Sequence, residues 1–390
     1  MKGETMNEKE VAEIRRRFRS DKTSITRICG AYVNEKREII SELDQSTALL
    51  SENECDQILA VLKKTLSGKL DTNLLPLEFT TNQVMTSEEH KLLCRLRETA
   101  LTDKEIVRAF YRKIIDSLEI KGNYMILLAH DSYDVFAYRK DGKGKDDESV
   151  EVFKYILCAI CPMNMAKPTL SYYVRENCFR DVVADSVISP PALGFMFPSF
   201  SGRTTNIYGA LYYTRATDDS HQELVDAIFR TGQLPMPAAT QKETFRSVLA
   251  DAVGEDCSLP LVRSIHKQIN LAMEEHKASK EPEPLTVDKY AIREMLSFSG
   301  VPEERIDTFE KKFDDSFGAG ATLSPRNLVD SRKFELKTPD VVIKVKPECA
   351  DLVETRVIDG VRYVLIRADK GVEVNGVDVH IENDEDIQED

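Results

Sequence analysis

No stretch of this chain approaches the roughly 20 consecutive apolar residues that a bilayer-crossing helix needs, and the polar opening Met1 to Asn7 lacks the apolar region of a signal peptide. A cytoplasmic, membrane-free setting is the expectation. Positive charge is not in excess: 53 Lys and Arg stand against 67 Asp and Glu, a net charge of -14, so the surface as a whole cannot coat a phosphate backbone. Histidine is scarce, with six in all, and His266 and His276 are separated by roughly 1000° of helical rotation, which sets them on different faces. The chain has no Walker loop, no Gly-x-Ser-x-Gly elbow, no His-Glu-x-x-His and no Gly-x-Gly-x-x-Gly after a strand. It also has no internal repeat. Eight cysteines scattered at 29, 55, 94, 158, 161, 178, 257 and 349 do not form a compact disulfide framework, and reduced thiols are expected.

What is present is the composition of a globular chain, 42% hydrophobic and 31% charged over 390 residues, long enough for two or three domains. Ser or Thr followed three residues later by Glu, the reciprocal helix cap, occurs at Ser51/Glu54, Thr86/Glu89, Thr102/Glu105, Ser220/Glu223 and Thr240/Glu243. A first helix over 7–19 carries the stripe Val11, Ile14, Phe18, and a hairpin is expected to turn at Asn34 to Lys36. From Asn123 short β-rich segments follow one another, interrupted by the polar stretch Lys140 to Glu148, which reads as an exposed loop. Residues 240–317 read as helical, broken at Glu281 to Pro284, and Asp359-Gly360 and Asn375-Gly376 mark two tight hairpins near the end. The expected fold is a multi-domain α+β protein. It comprises an N-terminal α/β unit (1–122), a β-rich middle domain (123–237), a helical segment (238–322), a C-terminal β module (323–381) and an acidic solvated tail (382–390).

Three groups of residues are candidates for chemistry. His130-Asp131 follows the apolar run Tyr124 to Ala129; a carboxylate beside an imidazole can orient a general base, and Arg203 could clamp an anion for a phosphoester hydrolase. The plainer readings are a polar turn after a strand and a structural salt bridge. Cys158 and Cys161 have a spacing used by zinc and thiol redox centres, but no further close ligands accompany them, and an odd separation along a strand sends the two side chains to opposite faces. Arg15, Arg16, Arg17, Arg19 and Lys22 form a basic segment that could meet RNA or an acidic partner, against the alternative of a solvated helix face.

The segments Glu10 to Arg17, Ile25 to Gly30, Ala129 to Val135, Tyr155 to Pro162, Gly194 to Pro198 and Val357 to Tyr363 together resemble a family of uncharacterised bacterial proteins, a domain of unknown function met mainly in anaerobic Gram-positive bacteria. The resemblance spans nearly the whole chain and implies a bacterial cytosolic setting. It brings no activity, substrate or cofactor. With several modules, an acidic surface and no complete catalytic set, the expected function is interaction with, or regulation of, a protein partner, with no cofactor. A hydrolase using His130, Asp131 and Arg203 and an RNA- or ribosome-associated factor using the basic segment stand as alternatives.

Overall fold

Helix starts are set by side chains that satisfy free backbone N–H groups in the computed structural model, which describes residues 5–138, 145–165, 169–182, 186–230, 234–279, 281, 284–369 and 371–379. Asn7 and Glu10 form a reciprocal box ahead of α1 (Glu8–Arg15), and Ser51 and Glu54 do so ahead of α2 (Glu52–Lys64) as expected. The chain divides into two compact units, 1–240 and 241–390.

The first unit is built on one antiparallel sheet. After β1 (Arg27–Val33), β2 (Ile39–Ser46) and β3 (Leu74–Glu78) come three helices: α3 (Thr81–Thr86), α4 (Glu88–Glu98) and α5 (Lys104–Ser117). The long hairpin β4 (Tyr124–Tyr138) and β5 (Lys145–Asn164) follows, with a small hairpin β6 (Thr169–Tyr173) and β7 (Cys178–Val182), then β8 (Val187–Ile188). Strands β9 (Leu193–Phe197), β10 (Ser199–Ser201), β11 (Thr204–Asn206) and β12 (Gly209–Thr214) and helix α6 (Gln222–Ile228) complete it. The strand order is β2-β1-β4-β5-β9-β12-β3, with β8 beside β5. Residues 1–122 and 123–237, expected as separate domains, therefore share one sheet, because β4 pairs with β1 and β12 pairs with β3.

Helices cover both faces of this sheet. Even-numbered Ile126, Leu128, Ile156, Cys158 and Ile160 pack with Leu93 and Leu96 of α4, Phe110 and Ile114 of α5 and Val225 of α6. Odd-numbered Leu127, Ala129, Tyr155, Leu157 and Cys161 pack with Val11 and Ile14 of α1 and Leu59 and Leu62 of α2. Two covered faces explain why Tyr155 to Cys161 is apolar without alternation: every residue in it is at most 1% exposed. Gly194 lets the end of α2 close on β9, since a Cβ there would stand 2.5 Å from the Cys158 carbonyl oxygen and 2.6 Å from Cγ2 of Thr65.

The second unit holds all but the first three residues of α7 (Ala238–Val253), then α8 (Leu259–Ser279), α9 (Lys289–Phe298), α10 (Glu303–Phe317) and α11 (Pro325–Leu328), around a core that includes Leu261, Ile265, Ile269, Ile292, Leu296, Phe309 and Phe313. Three hairpins end it: β13 (Phe334–Lys337) with β14 (Val342–Val345), β15 (Val353–Ile358) with β16 (Val361–Ile366), and β17 (Val372–Val374) with β18 (Val377–Val379). Asp359-Gly360 and Asn375-Gly376 have positive φ at both positions, the tight hairpin geometry their sequence requires. The mixed α+β class stands.

Several boundaries differ from the sequence expectation. Strand β4 runs through His130-Asp131 to Tyr138, so the doublet lies inside a strand and not in a turn after one. The polar stretch 140–148 is partly strand, since β5 starts at Lys145; residues 140–144 lie outside the described residues, as does the acidic tail 382–390. Thr86, Thr102 and Ser220 are each displaced as cap by the next residue: Ser87 and Asp103 accept the backbone N–H groups of α4 and α5, and His221 precedes α6 at φ 51. Helix α7 starts before Thr240.

Candidate functional site

Alternation along β4 separates the histidine and aspartate that the sequence sets side by side. His130 shares parity with Ile126 and Leu128, on the face covered by α4 to α6, whereas Asp131 shares parity with Leu127 and Ala129, on the face covered by α1 and α2. Burial pushes the His130 imidazole below its ordinary value, against the opposing pull of Asp131, and its Nε2 is buried without a hydrogen-bond partner among the described residues.

Asp131 is 1% exposed and is held by four donors. Arg17 donates from Nε to Oδ2 at 2.9 Å and from Nη2 to Oδ1 at 3.2 Å, the Ser24 amide donates at 2.9 Å, and the Tyr155 hydroxyl donates at 2.8 Å. Nη2 of Arg17 also donates to the Ser132 carbonyl at 3.0 Å, and its guanidinium carbon lies 4.6 Å from the centre of the Tyr133 ring. Burial alone would lower the Arg17 pKa, but its hydrogen bond to Asp131 and that carboxylate's charge outweigh this and hold it above the ordinary value. Burial, reinforced by Asp131, holds the Tyr155 phenol protonated well past its usual range.

Tyr133 carries the network onward, donating to Oε1 of Glu13 at 2.6 Å, with burial and this carboxylate pushing the phenol up to about 12. Glu13 in turn receives both Nε and Nη2 of Arg203, at 3.1 and 2.9 Å, while Nη1 of Arg203 donates to the Phe136 carbonyl. Gly202 and Arg203 form the tight turn between β10 and β11, both at positive φ. The left-handed conformation costs a non-glycine residue about 1 kcal/mol, and here the Arg203 amide is tied to Oε1 of Glu10 at 3.0 Å. Burial raises the Glu10 carboxyl above its ordinary value despite that bond.

Of the hydrolase trio, then, Asp131 and Arg203 join one chain of ion pairs that seats α1 on the sheet, and His130 lies on the other side. Arg17 belongs to this chain. Of the remaining basic residues, Arg19 pairs with Asp21 where both are more than half exposed, Arg16 and Lys22 are exposed, and Arg15 is half-buried. Cys158 and Cys161 lie on opposite faces, both 0% exposed, and burial raises both thiols, Cys161 to about 12. Among the described residues no three His, Cys, Asp or Glu side chains are gathered to hold a metal ion. Sequence reasoning missed Glu10, Glu13, Tyr133 and Tyr155 as partners; the signal was the pair of acids three residues apart, Glu10 and Glu13, on a helix, together with the polar odd-numbered residues of β4.

The other unusual surface is at the C-terminal hairpins. All four valines of β17 and β18 share one face, with Val374, Val377 and Val379 at 50%, 64% and 44% exposed, and Glu373 and Asp378 share the other. Val357 and Ile366 on one face of β15–β16 and Ile358, Val361 and Tyr363 on the other are likewise exposed.

Together these features define an α+β protein whose first unit is an antiparallel sheet between two helical layers, with Asp131, Arg17, Glu13 and Arg203 engaged in internal pairing, and whose second unit ends in apolar hairpins. The chain belongs to the family described as domain of unknown function DUF4317, which it matches over residues 6–377. No curated protein matches it. No helix among the described residues is long and apolar enough to cross a membrane.

Proposed function

We propose that this is a bacterial cytoplasmic interaction protein that docks another protein on the apolar faces of its C-terminal hairpins. The observation that carries the reading is the exposed valine face of β17–β18. A two-stranded hairpin is marginal in water by itself, and a contiguous exposed apolar face is characteristic of an interaction site. The occupant is an apolar protein surface rimmed by Lys and Arg. Charge supports this choice, because the chain carries a net -14 and the valine face is backed by Glu373 and Asp378.

The test is affinity capture from native lysate with the full chain and with a Val374→Asp/Val377→Asp variant, followed by cross-linking of each captured protein. Both positions are exposed, so the variant leaves the cores intact. A partner lost by the variant and cross-linked near residues 372–379 through a basic, apolar patch is the expected result. Recovery of the same proteins by both chains would overturn the reading. Self-association of the pure chain that the variant abolishes would replace the foreign partner with a second copy.

A further inference from the structure

Helix α4 holds a cysteine and a histidine one turn apart in contact. Sγ of Cys94 lies 3.6 Å from Nδ1 of His90, and Nε2 of His90 lies 2.9 Å from the carbonyl oxygen of Ile207. A carbonyl can only accept, so in the neutral ring Nε2 carries the proton and Nδ1 presents its lone pair to the thiol. The ring is 2% exposed and is fixed edge-on by Phe79 and Phe197, with centroids 4.9 and 5.4 Å away. A thiol, a base within reach of it and a third group that orients the base are the parts of an activated nucleophile. We propose that Cys94 is a thiol modification site, at which His90 acts as the base for exchange with small neutral disulfides.

The other cysteines lack this arrangement. Cys29, Cys55, Cys158 and Cys161 are buried, and Cys178 has its Sγ 3.9 Å from a carboxylate oxygen of Glu176, with no base beside it among the described residues. Cys94 is half-buried, between the two extremes. Burial pushes its thiol up, Arg97 lowers it and Glu98 raises it, while the neighbouring Glu89 is already paired with Lys113. The thiol is therefore neutral at rest, and its proton moves only as the sulfur attacks. In that step the S–H bond of Cys94 breaks and its proton passes to Nδ1 of His90. The sulfur forms a bond to one sulfur of the incoming disulfide, and the disulfide's own S–S bond breaks. The departing thiolate takes the proton from Nδ1 and leaves as a thiol, so the product is a mixed disulfide on Cys94 and the disulfide is the only oxidant.

The experiment treats the folded full chain with hydroxyethyl disulfide at pH 7 and follows each cysteine by peptide mass spectrometry. Cys94 is expected to react about tenfold or more faster than the exposed Cys257 of the same molecule. His90→Gln, which keeps an amide able to donate to the Ile207 carbonyl but supplies no base, is expected to slow Cys94 about tenfold and to leave Cys257 unchanged. Continued protection of Cys29 and Cys158 reports that the variant's core is intact, and if it is not, the comparison within the unaltered chain decides alone. A Cys94 rate equal to or below that of Cys257 overturns the proposal, as does a Cys94 rate unchanged in an intact His90→Gln protein.

Discussion

Replacing Asp131 by Asn tests whether the ion chain beneath α1 is structural in the way its geometry indicates. The substitution keeps the shape but removes the charge that four donors address, leaving the Arg17 guanidinium, whose side chain is 14% exposed, without its counter-ion. Removing one partner of a buried pair costs about 3–5 kcal/mol. Arg17 retains the Ser132 carbonyl and the Tyr133 ring, which argues for the lower end, about 3 kcal/mol. The companion change Arg17→Met should cost a comparable amount, because it strands a buried carboxylate. The double variant should lose less than the sum by about 1–3 kcal/mol, the signature of direct coupling. Urea unfolding followed by tyrosine emission suits the measurement. The chain has no Trp, and of its thirteen Tyr only Tyr290 and Tyr363 lie beyond the first unit. A loss below about 1 kcal/mol for Asp131→Asn, or strict additivity in the double variant, would refute the assignment of this network as a buried, coupled support.

Gly194→Ala should destabilise the first unit by about 1–3 kcal/mol, because its Cβ meets backbone at 2.5 Å and the end of α2 must move; a neutral effect in the same urea assay would mean that α2 is loosely seated. If the basic segment meets RNA, single-strand affinity should fall with salt at a log-log slope of about -3, set by Arg15, Arg16, Arg19 and Lys22, since Arg17 is engaged by Asp131. Changing those four to Ser should abolish the slope, and identical curves for the two proteins between about 50 and 200 mM salt would show that the segment is not a nucleic-acid site.

The parts of the fold that were legible in the sequence were those fixed by local chemistry. Ser51 with Glu54 capped α2 as expected, and Asp359-Gly360 and Asn375-Gly376 turned their hairpins, because one or two residues decide such geometry. The caps read one residue early, at Thr86 and Thr102, failed where the next residue, Ser87 or Asp103, could also accept a backbone N–H. The length of β4 was hidden for a different reason. His130 to Asp134 is polar because its odd-numbered side chains meet Arg17 and Glu13 from α1 and the segment after it, contacts more than a hundred residues away in sequence. The opposite faces of Cys158 and Cys161 followed from strand alternation alone, whereas the His90 tautomer depends on Ile207, which no spacing rule connects to α4.

The double covering of the sheet also determines where this chain can change length. An extra residue between Tyr124 and Asp131 would transpose everything that follows it in β4, carrying the carboxylate into the greasy layer beneath α4 and α5 and turning alkyl groups toward Arg17. The same holds for β5 and β9, so insertions and deletions in this half should be confined to the connections between strands. The middle strands are a reading frame in three dimensions, in which a shift by one is missense at every subsequent position.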